Sequence, residues 1–348
     1  MKADIRKEID KIIYYDTEIN AKTIPGFLIG LIYEDSIFIY DYGYADLEQS
    51  VPLSDSSVFE IGGLSKVFTA LLVDILVEDS LLQYQQSVNS LLDSIDYNES
   101  LSSLTVLDLI SHQSGFPKLP YEFGVKEKDP GNPYAHYAKE DLLAFYRDFQ
   151  AERKAKRRYA YSKVNYALLE IIIERASGET YESLLAKHIF QPLGMTNSFV
   201  HNDIAAEKKP IPGFSLSGNL AKPFDFQSFA ASEGIKSSMA DLMKFVFFNL
   251  YPSDIRLNDN LKRICKPVVD TKLNKQAKAA KGWHVLELRK YHNAILHSGS
   301  TNGHRSFIGF IPETRTGVAV LSNSENSIDG LGFLILRMLN YNWKKPKD

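Results

Sequence analysis

The sequence predicts an α+β fold, an antiparallel β-sheet flanked by helices with a mainly helical insertion. Three observations carry that prediction. Runs rich in β-branched and aromatic residues lie near both ends of the chain, at Gly26–Tyr33 and Ser36–Tyr40 and again at Ala294–His297, Ser306–Ile311 and Gly317–Leu321. Between them, from residue 59 to about residue 205, apolar residues recur at helical spacing. Glycine and proline then mark a return to strands near residues 210–225. The expected organisation is a discontinuous sheet domain, residues 1–58 and 211–348, enclosing a helical domain, residues 59–210, with a cleft between the two.

Each element has its own warrant. Ile5, Ile9, Ile12 and Ile13 share one side of a charged N-terminal helix. Glu34-Asp35 joins the first two strands as a hairpin. From Leu64, the residues Val67, Phe68, Leu71, Leu72, Ile75 and Leu76 form an apolar stripe on a central helix, with Lys66 off that stripe and on the same face as Gly63. Thr105 opens a short helix ending at Ser111-His112-Gln113-Ser114-Gly115, where His112 reads as a helix-terminal structural histidine. Phe116–Tyr137, rich in proline, glycine and aromatics, reads as a lid or binding wall. The basic run 152–158 reads as a solvated face. Leu331–Leu339 closes the chain as an apolar helix packed on the sheet.

Bulk properties narrow the possible partners. A chain of 348 residues can bury a large core. A formal charge of −3 with mixed signs argues against a nucleic-acid surface and selects no polyanion. The single cysteine, Cys265, excludes an internal disulfide and a cysteine-based metal cluster, and is expected to be a buried structural thiol. No cofactor or metal is expected. No run approaches membrane-spanning length and Met1–Asn20 has no apolar export core, so the expectation is a soluble, cytoplasmic protein with no membrane partner, exported only if a leader has been removed. The oligomeric state is left open.

The chemistry centres on Phe59-Glu60-Ile61-Gly62-Gly63-Leu64-Ser65-Lys66-Val67-Phe68-Thr69-Ala70. Lys66 and Gly63 stand at the positive end of a core helix, where an oxyanion is favoured. This stretch resembles the active-site helix of the penicillin-binding-protein and class C β-lactamase superfamily, whose Ser-x-x-Lys supplies a nucleophilic serine and a lysine that helps take its proton. Gly63 stands in the serine's place, and no other Ser-x-x-Lys occurs in the chain.

Two further stretches are similar to that family. Tyr161-Ser162-Lys163 resembles its Tyr-Ser-Asn motif, with Lys163 where asparagine is expected, and His297-Ser298-Gly299-Ser300-Thr301 resembles its Lys-Thr-Gly strand, carried by esterase-like members as His-x-Gly. Ala231–Leu242 is similar to its Gly-Gly-x-x-Ser-Thr-x-x-Asp-Leu stretch. The resemblance implies an α/β sandwich with an inserted helical domain. It also implies a catalytic set of position 63, Lys66, Tyr161 and His297, with the backbone N–H groups of residues 63 and 300 as oxyanion hole. Lys163, Ser298, Gly299 and Ser300 would bind the substrate, which can lie along the third motif as an added strand. Lys163 either points inward, where its repulsion of Lys66 lowers one of the two pKa values, or snorkels outward and takes no part.

The implied ligand is a small-molecule or peptide acyl ester or amide, with esterase or peptidase chemistry preferred to β-lactamase chemistry because histidine replaces the third-motif lysine. Four accounts of Gly63 follow. The chain is a serine acyl hydrolase in which glycine was introduced; or a natural non-catalytic relative that binds a ligand or protein; or an enzyme using Tyr161, Ser65 or lysine-activated water; or a protein sharing only the fold. Ser65 lies about 100° round the helix from Lys66, so its hydroxyl should face away from the cleft. The first account, a serine hydrolase scaffold disarmed as written, is the preferred expectation and the second its alternative.

Overall fold

The computed structural model describes residues 2–17, 19, 24–46, 50–124, 131–151, 158–201, 209–251, 255–272, 275–289 and 292–341. The basic run at 152–157 and the middle of the aromatic loop, 125–130, lie outside the described residues.

In chain order, α1 (Lys2–Asp16) leads to β1 (Gly26–Tyr33), β2 (Ser36–Asp46), β3 (Val51–Pro52) and β4 (Val58–Glu60). Helices α2 (Ser65–Glu78), α3 (Val106–Ile110), α4 (Lys139–Asp148), α5 (Lys163–Ser177) and α6 (Tyr181–Leu185) follow. After β5 (Gly213–Phe214) and β6 (Leu220–Ala221) come α7 (Ala230–Glu233), β7 (Lys236–Ser238), α8 (Met239–Leu250) and α9 (Ile255–Ile264). The chain ends with β8 (Val269–Asp270), β9 (Ala277–Ala279), β10 (His284–Arg289), β11 (His292–Ser300), β12 (Arg305–Ile311), β13 (Thr316–Ser322) and α10 (Asp329–Leu339).

The main sheet has nine strands in the order β3-β2-β1-β13-β12-β11-β10-β9-β8, with antiparallel neighbours throughout, so strands from the two ends of the chain meet where β1 pairs with β13. The Glu34-Asp35 hairpin has both residues at positive φ, 49° and 60°, the handedness a two-residue turn needs to match strand twist. Alternation along β1 sends Phe27, Ile29 and Leu31 into a core with Ile5, Ile9 and Ile12 of α1 and Leu331, Ile335 and Leu336 of α10. Leu28 and Ile32 enter the larger core with α2, α5 and α8. Gly30 lies between them on that second face because a Cβ there would come within 2.3 Å of the Met243 sulfur.

The α2 helix departs from the one-sided stripe read from its spacing. Every residue from Ser65 to Leu76 is buried, since α2 packs against α5, α7 and α9 at once. Its polar residues are accommodated by bonding to one segment: Ser65 Oγ accepts from Ile235 N at 3.1 Å, Lys66 Nζ donates to Ser232 O at 2.8 Å, and Thr69 Oγ1 donates to Ala231 O at 2.6 Å. Cys265 is half-buried rather than fully enclosed, and its surroundings still push the thiol up to about 12 through desolvation. No helix among the described residues is long and apolar enough to cross a membrane.

Candidate active site

The approach to position 63 is held from two sides. The short ladder of β4 with β7 (Val58↔Ser238, Phe59↔Ser237, Glu60↔Lys236) continues as Ile61 N donating to Ile235 O at 3.0 Å. On the other side Ser306 Oγ of β12 donates to Ile61 O at 2.7 Å. Residues Gly62–Leu64 then form a single 3₁₀ turn that feeds directly into α2. Glycine is obligatory at 299: a Cβ there would sit 1.9 Å from Ile61 O and 2.9 Å from Gly63 N, so β11 can reach the turn only without a side chain.

Position 63 aims into the meeting point of the motifs. A Cβ at Gly63 would lie 3.1 Å from Ser298 O, 3.2 Å from the Tyr161 hydroxyl and 3.6 Å from His297 Cε1. One turn further on, Lys66 is fully buried, with its Nζ 5.1 Å from the centre of the Tyr161 ring. Gly63, Lys66, Tyr161 and His297, up to 234 residues apart in the chain, therefore surround one space. Ser65 faces away from it, bonded to Ile235 N, in keeping with its expected direction.

Tyr161 precedes the N-terminus of α5, and its ring lies 4.7 Å from that of His112. His112 has φ +58°, an uncommon conformation for a residue with a side chain, and its Nδ1 accepts from Ser162 N at 3.1 Å. That bond ties the helix end carrying His112 to the segment carrying Tyr161. Burial, with the negative charge of Glu233 adding to it, pushes the Tyr161 hydroxyl well above its ordinary pKa. The hydroxyl is thus held as a hydrogen-bond donor and acceptor rather than a phenolate.

His297 Nδ1 is 2.7 Å from Ser298 O, and because a carbonyl only accepts, the ring hydrogen is on Nδ1 and the Nε2 lone pair is free of it. Burial drives the His297 pKa well below the usual imidazole range, assisted by His284 and Lys66. The His284 ring lies beside it, tilted by 35° with ring centres 5.4 Å apart, and bonds through Nε2 to the Tyr159 hydroxyl at 2.8 Å. The β10 partnership stops at His284↔Leu296, so His297–Ser300 pair only with β12 among the described strands and leave the other backbone edge without a strand partner. Ser300 is exposed at the end of that segment, and the Ser298 hydroxyl bonds to Asp329.

Lys163 points inward. Its Nζ contacts Glu233 Oε2 at 2.6 Å and the Tyr134 hydroxyl at 2.8 Å, while Glu233 Oε1 lies 3.9 Å from Lys66 Nζ. One carboxylate thus bridges two ammonium groups. Lys66 falls to about 8, and burial is the largest cause, opposed by Glu233 and reinforced by Lys118. Burial likewise leads the lowering at Lys163, with Lys66 only a lesser contributor. Desolvation, more than the mutual repulsion expected from the sequence, sets both shifts.

Glu233 and Tyr134 are the residues that motif reasoning missed. A signal for Glu233 existed: counting back from Asp241-Leu242 along the Gly-Gly-x-x-Ser-Thr-x-x-Asp-Leu pattern puts Glu233 on its first glycine. Lys163 and Glu233 are therefore two departures from one family pattern, of opposite sign, that pair with each other. Tyr134 comes from the described part of the aromatic loop, which packs as a wall: Phe123, Tyr134 and Tyr137 all meet Phe229 with ring centres 5.4–5.8 Å apart. Among the described residues no group of three or more His, Cys, Asp or Glu side chains could hold a metal ion.

The fold and these motifs define a β-lactamase-type protein, and the chain belongs to the Beta-lactamase family, whose model matches residues 14–339. It is 26% identical over 330 residues to Protein flp of Staphylococcus aureus (strain NCTC 8325 / PS 47), a match covering 92% of this chain and 63% of that protein. The chain therefore spans less than two thirds of that curated relative. It is 22% identical over 342 residues to a Beta-lactamase of Escherichia coli (strain K12), covering 88% of this chain and 85% of the other. Among solved structures it resembles an octameric penicillin-binding protein homologue from Pyrococcus abyssi, with TM-score 0.80, 25% identity and coverage of 97% and 76%. A class C beta-lactamase superposes with TM-score 0.84 over 99% of this chain and 98% of the other, and at 20% identity that likeness speaks for the fold alone.

Proposed function

We propose that the cleft binds acyl esters or amides, as a small molecule or a peptide, and that the chain as written does not form an acyl-enzyme with them. The observation that carries this reading is the direction of position 63, whose Cβ would meet Tyr161 and Ser298 where a serine hydroxyl would have its proton taken, while glycine has no oxygen to acylate. Removing a nucleophile from such a set lowers turnover by several orders of magnitude. Esterase or peptidase chemistry is favoured over β-lactam hydrolysis, since His297 stands in the third-motif lysine's place.

A second reading, a natural binding protein that has given up catalysis, is favoured by one specific observation. The Lys163–Glu233 pair occupies the cleft with two changes that support each other and neither of which is needed simply to disable a serine. Turnover of a chromogenic aryl ester tests the first reading. The chain as written should match the buffer rate and Gly63→Ser should show a burst of product. A Gly63→Ser protein as inert as buffer contradicts it and supports the second reading.

A further inference from the structure

Among the described residues, the charges around position 63 do not balance. Lys66, with no exposed side-chain surface, and Lys163, at 14% exposure, share the single carboxylate of Glu233, which is itself 5% exposed. Lys118, which is exposed, is a third cation, and its field acts on both lysines. The three nearby histidines, His112, His284 and His297, are all driven toward the neutral form by burial. Among the described residues, the buried cluster thus holds one more positive charge than negative. An uncompensated buried charge is costly, and the deficit is met most directly by an anion delivered into the same desolvated space.

We infer that the cleft is a carboxylate site, in which a ligand's carboxylate is the counter-ion that the Lys66–Glu233–Lys163 cluster lacks. This rests on reading the cleft as the ligand site and names the class of ligand. The preferred occupant is a monocarboxylic acid, the kind of product that hydrolysis of an acyl ester or amide releases, rather than the neutral ester or amide itself. The Tyr161 hydroxyl offers the carboxylate a neutral donor, and Gly63 offers it no nucleophile. Tyr134, Tyr159 and Tyr161 give the surroundings an aromatic character that suits an aryl acid.

Isothermal titration of the full chain at pH 7 with benzoate and with benzamide, alike in shape and different in charge, tests this. Benzoate should bind at least tenfold more tightly than benzamide. Lys163→Gln should weaken benzoate about tenfold and Glu233→Gln should strengthen it, with circular dichroism and a thermal melt checking that each variant is folded. Equal affinity for the two compounds, or benzoate binding indifferent to both substitutions, overturns the inference. Failure of benzoate to bind while Gly63→Ser turns over an ester overturns the carboxylate assignment alone. Benzoate binding with the stated variant pattern, alongside an inert Gly63→Ser protein, supports the assignment and removes the hydrolase reading.

Discussion

Lys163 and Glu233 meet at 2.6 Å, one opening α5 and the other closing α7, seventy residues apart in the chain. Each is a departure from the family pattern, and together they form a single buried contact. Breaking such a pair from one side leaves an uncompensated charge, which costs about 3–5 kcal/mol, whereas removing both partners is often close to neutral. Glu233→Gln should therefore destabilise the fold by about 3 kcal/mol, and Lys163→Asn combined with Glu233→Gly should recover the part of the loss that comes from the stranded Lys163, but not the part from Lys66, which loses the same carboxylate. Urea unfolding of the single and double variants measures both.

Restoring the serine should restore only part of the chemistry. The contacts of 3.1 and 3.2 Å that a Cβ at 63 would make require Ser298 and Tyr161 to yield by a few tenths of an ångström, a small adjustment. Lys66, however, stays bonded to Ser232 O and close to Glu233, which favours its charged form over the neutral amine that takes a proton. Adding Lys163→Asn and Glu233→Gly to Gly63→Ser should raise the acylation rate by at least about tenfold over Gly63→Ser alone. Stopped-flow acylation of the two proteins decides it.

The pH dependence of stability has a definite sign. Lys66 protonates at its ordinary 10.5 in the unfolded chain and at about 8 when folded, with desolvation the leading cause. Between those values the unfolded chain holds a proton that the folded chain has released. The contribution of Lys66 therefore rises with pH across that window and is lost as pH falls through about 8. The difference in unfolding free energy between the chain as written and Lys66→Met should grow from pH 7 to pH 10 by on the order of 2 kcal/mol. Denaturant titrations at intervals across that range measure it.

Gly299→Ala tests the union of the third motif with the first. Its methyl group would enter within 1.9 Å of Ile61 O, a backbone atom already held by Ser306, so the turn at Gly62–Leu64 must move away from β11. Such overpacking should cost about 3 kcal/mol. The thermal midpoint should drop, and ligand binding in the cleft should weaken with it.

Much of the fold was legible in local pattern. The hairpin at Glu34-Asp35, the isoleucines of α1 and the final strands follow from two-residue and helical periodicities, which are properties of neighbouring residues. The same periodicity misread α2, because a helix enclosed on all sides carries buried polar residues wherever a partner such as the Ala231–Ile235 segment supplies bonds. In the site, motif spacing led to Gly63, Lys66, Tyr161 and His297, which share one space. The direction of Lys163 was not legible, because it depends on a carboxylate on another element, and no pattern along α5 encodes that contact.

The intact mass after incubation with a serine-directed acylating probe tests the central claim most directly, for the chain as written and for Gly63→Ser. An adduct is expected on the serine form, mapped to residue 63, and none on the glycine form. An adduct on the glycine form, or none on a folded Gly63→Ser protein, would contradict that claim.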